Sequence, residues 1–379
     1  MSNYNQIKNI DIIIIGAGLS GLSLARELSI KTRKKILIIE RKKKMTYDKN
    51  WCFWNYPKNP LTKLNDHSWK HIRIKVCGQE KLFFNNKIRY LHIKSSTFYN
   101  QMIKYLQKKN VNIIMNKEID EIKNKNGFYE IAIDKTLFKT EFIFDSRPNI
   151  NKNKSNLFQH FAGYEVIFKK NILNADEVTL MDFQSFTSGV NFMYILPFSK
   201  RKALFESTYF SQTFNDLSVY KKNVVKYLKE NFPNIEYKIN FKKKGIIPMF
   251  SDQKKEQKNF YKIGTPGNWL RFSTGYGFQN AFINAEQIVN QISKNQKIYL
   301  KNNYFLNFLD EIFCNLIKND SNSLMTFFKF FYFKNDYKII VKFLVGKINF
   351  FELFSLIKSL PKKKLILSMI QVLKKKIYK

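Results

Sequence analysis

The sequence predicts an α/β fold: a Rossmann-type parallel sheet interwoven with a mixed or antiparallel sheet, followed by a helical C-terminal region. Three observations predict it. A strand, a glycine turn, a helix and a second strand succeed one another between Asp11 and Glu40. Alternating apolar residues run through the middle of the chain, and helical periodicity fills residues 299–379.

In the first unit, the buried strand Asp11–Ile15 runs into Gly16-Ala17-Gly18-Leu19-Ser20-Gly21. A helix follows with Leu22, Ala25 and Leu28 on one face, and the strand Ile36–Ile39 ends in Glu40. Gly16 permits the tight turn, Gly18 lets backbone approach a pyrophosphate, and Gly21 lets helix and strand pack closely. Glu40 stands where an acid accepts hydrogen bonds from a ribose. The pattern itself fits FAD or NAD. Its place near residue 1, with a long chain after it, is the arrangement of flavoproteins and favours FAD.

Beyond this unit, an Asn126-Gly127 hairpin turn precedes Phe142–Asp145, an apolar strand closed by a carboxylate. From Gly163 to Met249, "FAGYEVIF", "NFMYILPF", "KALFESTY" and "GIIPMF" alternate as strands of a separate sheet, suited to form a wall over a flavin. A second glycine-rich turn through Gly264, Gly267, Gly275 and Gly277 enters a helix bearing Ala281, Ala285 and Ile288. The expected organisation is a first cofactor part over residues 1–150 with inserted strands, a substrate part over 151–255, a return to the cofactor part over 256–298, and helices over 299–379.

The formal charge is +37, from 66 basic and 29 acidic residues, but only eight of the 66 are arginines. Lysines strewn along the chain, with no nucleic-acid motif, argue against nucleic acid as partner. Attraction to an anionic membrane surface is the better use of that charge. Phenylalanines and lysines interleave in "LMTFFKFFYFKNDYKIIVKFLVGKINFFELFSLIKSL", so rings can dip into acyl chains while lysines snorkel; packing on the enzyme body explains the same pattern. No apolar run is long enough to span a bilayer and no signal peptide is evident, so a peripheral place on the cytoplasmic face of a membrane is expected. Cys52, Cys77 and Cys314 and the four histidines lack ligand spacing, so no metal is expected.

In order along nearly the whole chain, "NWCFW", "YLHIKSSTFY", "FIFDSRP", "FAGYEV", "LMDF", "FMYILPFS", "LFEST", "KKGIIPM" and "GTPGNWLRFSTGYGFQNA" resemble the bacterial and plant lycopene cyclases. The resemblance implies an FAD enzyme of carotenoid synthesis, an isomerase that closes ψ ends of lycopene into β rings without net redox change. Its flavin is held reduced, with NAD(P)H as reductant. Two departures stand out: Ser207 replaces the second of two adjacent acids, and Lys243-Lys244 replace an acid ahead of the "G-x-x-P" turn.

Protonating an alkene needs a strong acid in a dry apolar site. Glu206, between Phe205 and Ser207 on a strand, is the expected general acid and a candidate for the base that retrieves the second proton, because burial favours a neutral carboxyl. Tyr194, Tyr209 and Phe183 are expected as cation-stabilising rings on its face. Trp51 and Phe53 line a polyene tunnel or anchor the cofactor part; Asp182 holds a water or the flavin edge, or caps a turn. Gly275 and Tyr276 belong to the flavin site, and Arg271 neutralises reduced flavin or phosphate. The rival readings are a reductase-like or hydroxylase-like isoprenoid flavoprotein and a basic surface-binding protein with a vestigial nucleotide fold.

Overall fold

The computed structural model describes residues 4–57, 60–148, 156–184, 190–251, 257–300, 303–320 and 322–377. The expected boundaries after residues 150 and 255 fall outside the described residues. A five-stranded parallel sheet is ordered Phe260–Lys262, Phe142–Asp145, Ile12–Ile15, Ile36–Glu40, Asn112–Met115. The central strand Ile12–Ile15 and its neighbour Ile36–Glu40 are buried at every position, which is why they read as isoleucine and leucine up to the terminal Glu40. Helix α1 (Leu19–Lys31) buries Leu22, Ala25 and Leu28, and α2 (Ser95–Lys108) packs beside it. On the other face a four-stranded sheet closes a separate core of Ile13, Ile15, Tyr129 and Ile131. The hairpin between its strands Glu121–Lys125 and Phe128–Ile133 places Asn126 and Gly127 at φ 55° and 95°, the left-handed pair that an Asn-Gly turn supplies.

A second, seven-stranded sheet lies apart from the parallel one. Its order is Tyr237–Pro248, Phe158–Phe168, Lys202–Ser211, Val190–Pro197, Glu177–Phe183, His71–Val76, Gln79–Phe84. Its pairings are antiparallel except between Glu177–Phe183 and His71–Val76. The two sheets interleave along the chain: His71–Val76 and Gln79–Phe84 come from its early part, and Phe260–Lys262 returns to the parallel sheet. A three-stranded sheet, Asn50–Trp54, Tyr90–Lys94 and His67–Trp69, lies between them in sequence.

Helix α3 (Leu217–Asn231) covers one face of the seven-stranded sheet, where Tyr220, Val224, Tyr227 and Leu228 pack on Phe168, Phe205 and Tyr209. Helix α4 (Phe278–Ser293) runs beside α1. The chain ends in α5 (Tyr304–Asn319), α6 (Ser323–Phe333), α7 (Tyr337–Leu344), α8 (Phe350–Ser359) and α9 (Lys362–Ile377). Asn349 and Glu352 form a reciprocal capping box that starts α8.

His160 is buried beneath α3, at 2.6 Å from the Tyr220 hydroxyl and 2.9 Å from Ser211 Oγ. Burial pushes its imidazole down to about 4 from the usual 6.5. The folded state therefore resists protonation that the unfolded chain accepts, so the stability His160 supplies is complete above about pH 6.5 and is lost as pH falls towards 4. Denaturant midpoints measured across that window should fall more steeply for wild type than for His160→Gln.

Candidate functional site

A cavity of about 1000 Å³ runs from the first glycine turn, past the inner face of the seven-stranded sheet, to the C-terminal helices. Gly18, Leu19 and Ser20 line its first end, and Phe308, Phe328, Phe354 and Met369 line the other.

The glycine turn is shaped for close approach. Gly16 adopts φ +100°, and a Cβ on Gly21 would sit 2.0 Å from the Gly16 carbonyl oxygen, so helix and strand pack backbone to backbone. Nothing lies within 4 Å of where a Gly18 Cβ would be. Neither α1 nor α4 has a side-chain cap, so their first N–H groups are available to an anion. The Glu40 carboxylate accepts from Ala17 N–H at 2.7 Å and Lys42 N–H at 2.9 Å, which sets it beside this turn. Across the cavity Gly275 and Tyr276 form part of the wall. The Tyr276 hydroxyl donates to Gln279, whose amide holds the Trp54 carbonyl at 3.0 Å. Trp269 adds a buried indole N–H without a partner among the described residues. An open glycine cradle, two uncapped helix starts and an unmatched donor fit a dinucleotide cofactor.

Glu206 is 6% exposed and lines the cavity with Thr208 and Phe210 from the same strand. The Lys243 ammonium lies 3.1 Å from its Oε1, off the direction of a hydrogen bond, so Oε1 has no hydrogen-bond partner among the described residues. Beside it, Tyr194 and Tyr90 lie hydroxyl to hydroxyl at 3.2 Å. Burial pushes both phenols well above their ordinary range, so they remain protonated donors. The Cys52 thiol, bonded to Tyr194, is pushed up to about 12 by burial and stays neutral. Trp51 lines the cavity, edge-on to Phe98 at 5.3 Å and to Tyr99 at 5.5 Å.

Other expected residues lie elsewhere. Tyr209 is on the opposite face of the Glu206 strand, stacked on His160 and bonded to Asn223 at 2.5 Å. Residues 206 and 209 differ by an odd number, so a strand sends them to opposite faces. Ser207 also faces away, bonded by Asn191 and Asn223, so an acid at 207 would not adjoin the Glu206 carboxyl. Asp182 accepts from the Tyr227 hydroxyl at 2.7 Å and pairs with Lys75 at 3.4 Å under α3, because the register shifts between Thr179 and Asp182. Phe183 stands behind the wall, 4.8 Å from Phe328. Phe53 is fully buried and stacks on Phe278 at 4.6 Å. The Arg271 guanidinium, expected at flavin or phosphate, is instead paired with Asp310 at 2.9–3.1 Å and donates to the Phe343 carbonyl. A buried guanidinium needs a carboxylate, and α5 supplies one.

Sequence reasoning missed Lys49 and the meeting of Lys243 with Glu206. Lys49 lines the cavity, and burial pushes its ammonium down. Its place before "NWCFW" was the available signal; for Lys243 it was the loss of an acid ahead of the proline turn. Cys52 and Tyr90 lie inside "NWCFW" and "YLHIKSSTFY", but nothing in those segments singles the two residues out as cavity-lining.

Because Arg271 and Asp310 join the second glycine turn to the C-terminal helices, Arg271→Met should lower unfolding stability by about 3–5 kcal/mol. Adding Asp310→Leu should recover part of that loss in the same denaturant titration, since it removes the carboxylate left alone.

The fold is that of FAD-dependent flavoproteins. A flavoprotein/dehydrogenase from Cytophaga hutchinsonii superposes with TM-score 0.66 at 13% identity, over 96% of this chain and 99% of that one. A geranylgeranyl bacteriochlorophyll reductase-like protein from Thermoplasma acidophilum gives 0.59 at 12%, over 96% of each. The flavin-dependent brominase Bmp2 gives 0.60 at 13%, over 98% and 100%. No curated protein sequence matches. The family described as lycopene cyclase protein matches residues 11–368, from the strand Ile12–Ile15 into α9, and the chain belongs to that family.

Proposed function

We propose that the protein is a lycopene cyclase in the full chemical sense: it converts ψ ends of a linear carotenoid to β rings, with Glu206 as the general acid. The observation that carries this reading is a buried carboxyl on the wall of an apolar cavity that begins at a dinucleotide turn. Gly16, Gly18 and Gly21 with the start of α1 would hold the pyrophosphate of FAD, Glu40 its ribose, and Gly275 and Tyr276 the far side of the site. FAD bound there and reduced by NAD(P)H would supply electron density that stabilises a cation, without being consumed.

The chain's own groups supply the rest. The Glu206 carboxyl gives its proton to the terminal alkene, the neighbouring alkene closes the ring, and loss of a different proton sets the ring double bond. The rings of Tyr194, Tyr90 and Trp51 line the cavity, and the two phenols stay protonated, which favours a cation without adding a base. Phe308, Phe328 and Phe331 make the wall supplied by α5 and α6 apolar, so water that would quench the cation is disfavoured along it. Product and substrate are isomers, so no oxygen or net reductant is consumed. The rival reading, an isoprenoid flavoprotein reductase or hydroxylase, predicts stoichiometric consumption of one of them.

Expression in a lycopene-accumulating host should yield a pigment of unchanged mass and shifted absorption, which also counts the ends closed. Glu206→Gln should abolish the shift and retain flavin absorbance; retained cyclisation would exclude the proposed role.

We also propose that α8 and α9 rest on an anionic membrane surface. Phe350, Phe351 and Phe354 are 74%, 83% and 64% exposed, and Ile366, Leu367 and Ile370 project from α9. Lys358, Lys362, Lys363 and Lys364 are exposed beside them. Phe354, Ile357, Lys358 and Ile366 also line the cavity, so a carotenoid would pass from acyl chains to the site without crossing water. Among the described residues no helix is long and apolar enough to cross a membrane. Replacing Phe350, Phe351 and Phe354 by Ser should weaken flotation with phosphatidylglycerol vesicles and make what remains salt-sensitive, while flavin content is unchanged.

A further inference from the structure

Three adjacent strands set up an arrangement around Glu206 that general acid chemistry alone does not require. Phe158–Phe168 lies between Lys202–Ser211 and Tyr237–Pro248, and its Gly163 is in register with Glu206 on one side and Lys243 on the other. Residues flanking a central strand in this way stand about 9.6 Å apart, twice the strand spacing. The side chain of the central residue ordinarily fills that gap. Here the central residue is glycine, and a Cβ on it would sit 3.1 Å from both Cγ and Oε1 of Glu206. The long lysine stem crosses the open gap and brings Nζ to 3.1 Å from Oε1.

The register shift between Gly163 and Tyr164 completes the device. Of the consecutive lysines, Lys242 pairs with Glu165 at 3.0 Å, whereas Lys243 reaches Glu206 and its side chain is only 16% exposed. A bulge re-aims side chains in this manner. Lys243 also lies 5.5 Å from the Phe161 ring centroid, an aromatic face that suits a cation. Of the other ionisable groups lining this part of the cavity, Cys52, Tyr90 and Tyr194 are held protonated by burial, whereas burial and the nearby Lys243 charge push the Lys49 ammonium down.

Resting on the reading of Glu206 as the acid, we propose that Lys243 is the positioning residue that keeps the catalytic proton and passes it to Glu206 when substrate dries the cavity. With water present, the ammonium and carboxylate are the favoured pair. Stripping that water penalises both charges and favours amine and carboxylic acid. In the transfer, an N–H bond of Lys243 breaks as an O–H bond forms on Glu206. That O–H bond then breaks as a C–H bond forms on the terminal alkene carbon, leaving a carbocation and a carboxylate. After ring closure, a C–H bond of the ring cation breaks, its electron pair becomes the new double bond, and the proton returns through Glu206 to Lys243. The pair ends as it began, and the reaction remains an isomerisation.

The test compares variants of the full flavin-loaded chain on lycopene in phosphatidylglycerol vesicles, with flavin absorbance, KM and kcat read for each. Lys243→Arg keeps the positive charge but does not release a proton at neutral pH. It should keep flavin and KM while kcat falls by about 100-fold or more. Lys243→Ala should regain rate with added ethylamine or propylamine, which carry a proton at neutral pH, and not with trifluoroethylamine, which is largely unprotonated there, a dependence that a packing role would not produce. Gly163→Ala, which closes the gap without removing either charge, should lower kcat as Lys243→Arg does. A Lys243→Arg or Gly163→Ala enzyme within threefold of wild type, or a flavin-bearing Lys243→Ala that no amine rescues, overturns the proposal. Failure of the underlying reading is distinguishable: Glu206→Gln would then still cyclise, whereas an inactive Glu206→Gln beside an active Lys243→Arg sinks the proton-holding role alone.

Discussion

An apolar interior tolerates a charge only beside its opposite, and the site of this protein is organised by that constraint. Glu206 meets Lys243 on the cavity wall, Arg271 meets Asp310 where the second glycine turn touches α5, and Asp145 takes Arg147 and Lys262 at the end of a parallel strand. Each pair ties segments distant in sequence or fixes the end of a strand. The Arg271 pair ties the turn over residues 264–277 to the C-terminal helices, and Arg271 also donates to the Phe343 carbonyl in α7. The cavity therefore has a polar seam on one side and aromatic walls on the other, and its shape follows from where the pairs fall.

The seven-stranded sheet acts as a partition. On one face α3 seals a dense core of Phe168, Phe205, Tyr209 and Tyr227; on the other, Glu206, Thr208 and Phe210 look into the cavity. The strand Lys202–Ser211 is buried at every interior position because both faces are covered. That double burial lets one strand carry a cavity-facing carboxyl, Glu206, and a structural hydroxyl, Ser207, on successive residues without interference. The three-stranded sheet contributes Trp51, Cys52 and Tyr90 from the side of the dinucleotide turn. Rings and protonated hydroxyls thus stand around the Glu206–Lys243 pair.

Much of this was legible in the residues. The parallel strands announced themselves as Ile12–Ile15 and Ile36–Glu40, the glycine turn as Gly16 to Gly21, and the separate sheet as alternation from Gly163 onward. The cavity position of Glu206 followed from apolar neighbours and period-two geometry. The same geometry excluded Tyr209 from that face, and proximity in sequence had overruled it. Asp182 was misplaced because a register shift changes which face a residue takes, and no local pattern marks such a shift. Arg271 read as a ligand for an anion because a lone arginine near a glycine turn carries no sign of its distant carboxylate.

By itself the chain determined its local units, since hydrophobic period, glycine position and turn chemistry act over a few neighbouring residues. Only the tertiary structure decided which charges meet. Lys243 and Glu206 are 37 positions apart by their numbers, and their contact depends on strand order, a bulge and the missing side chain of Gly163. These are properties of three strands at once, and pairing across a sheet is set by the energy of the assembled core rather than by any one segment's pattern.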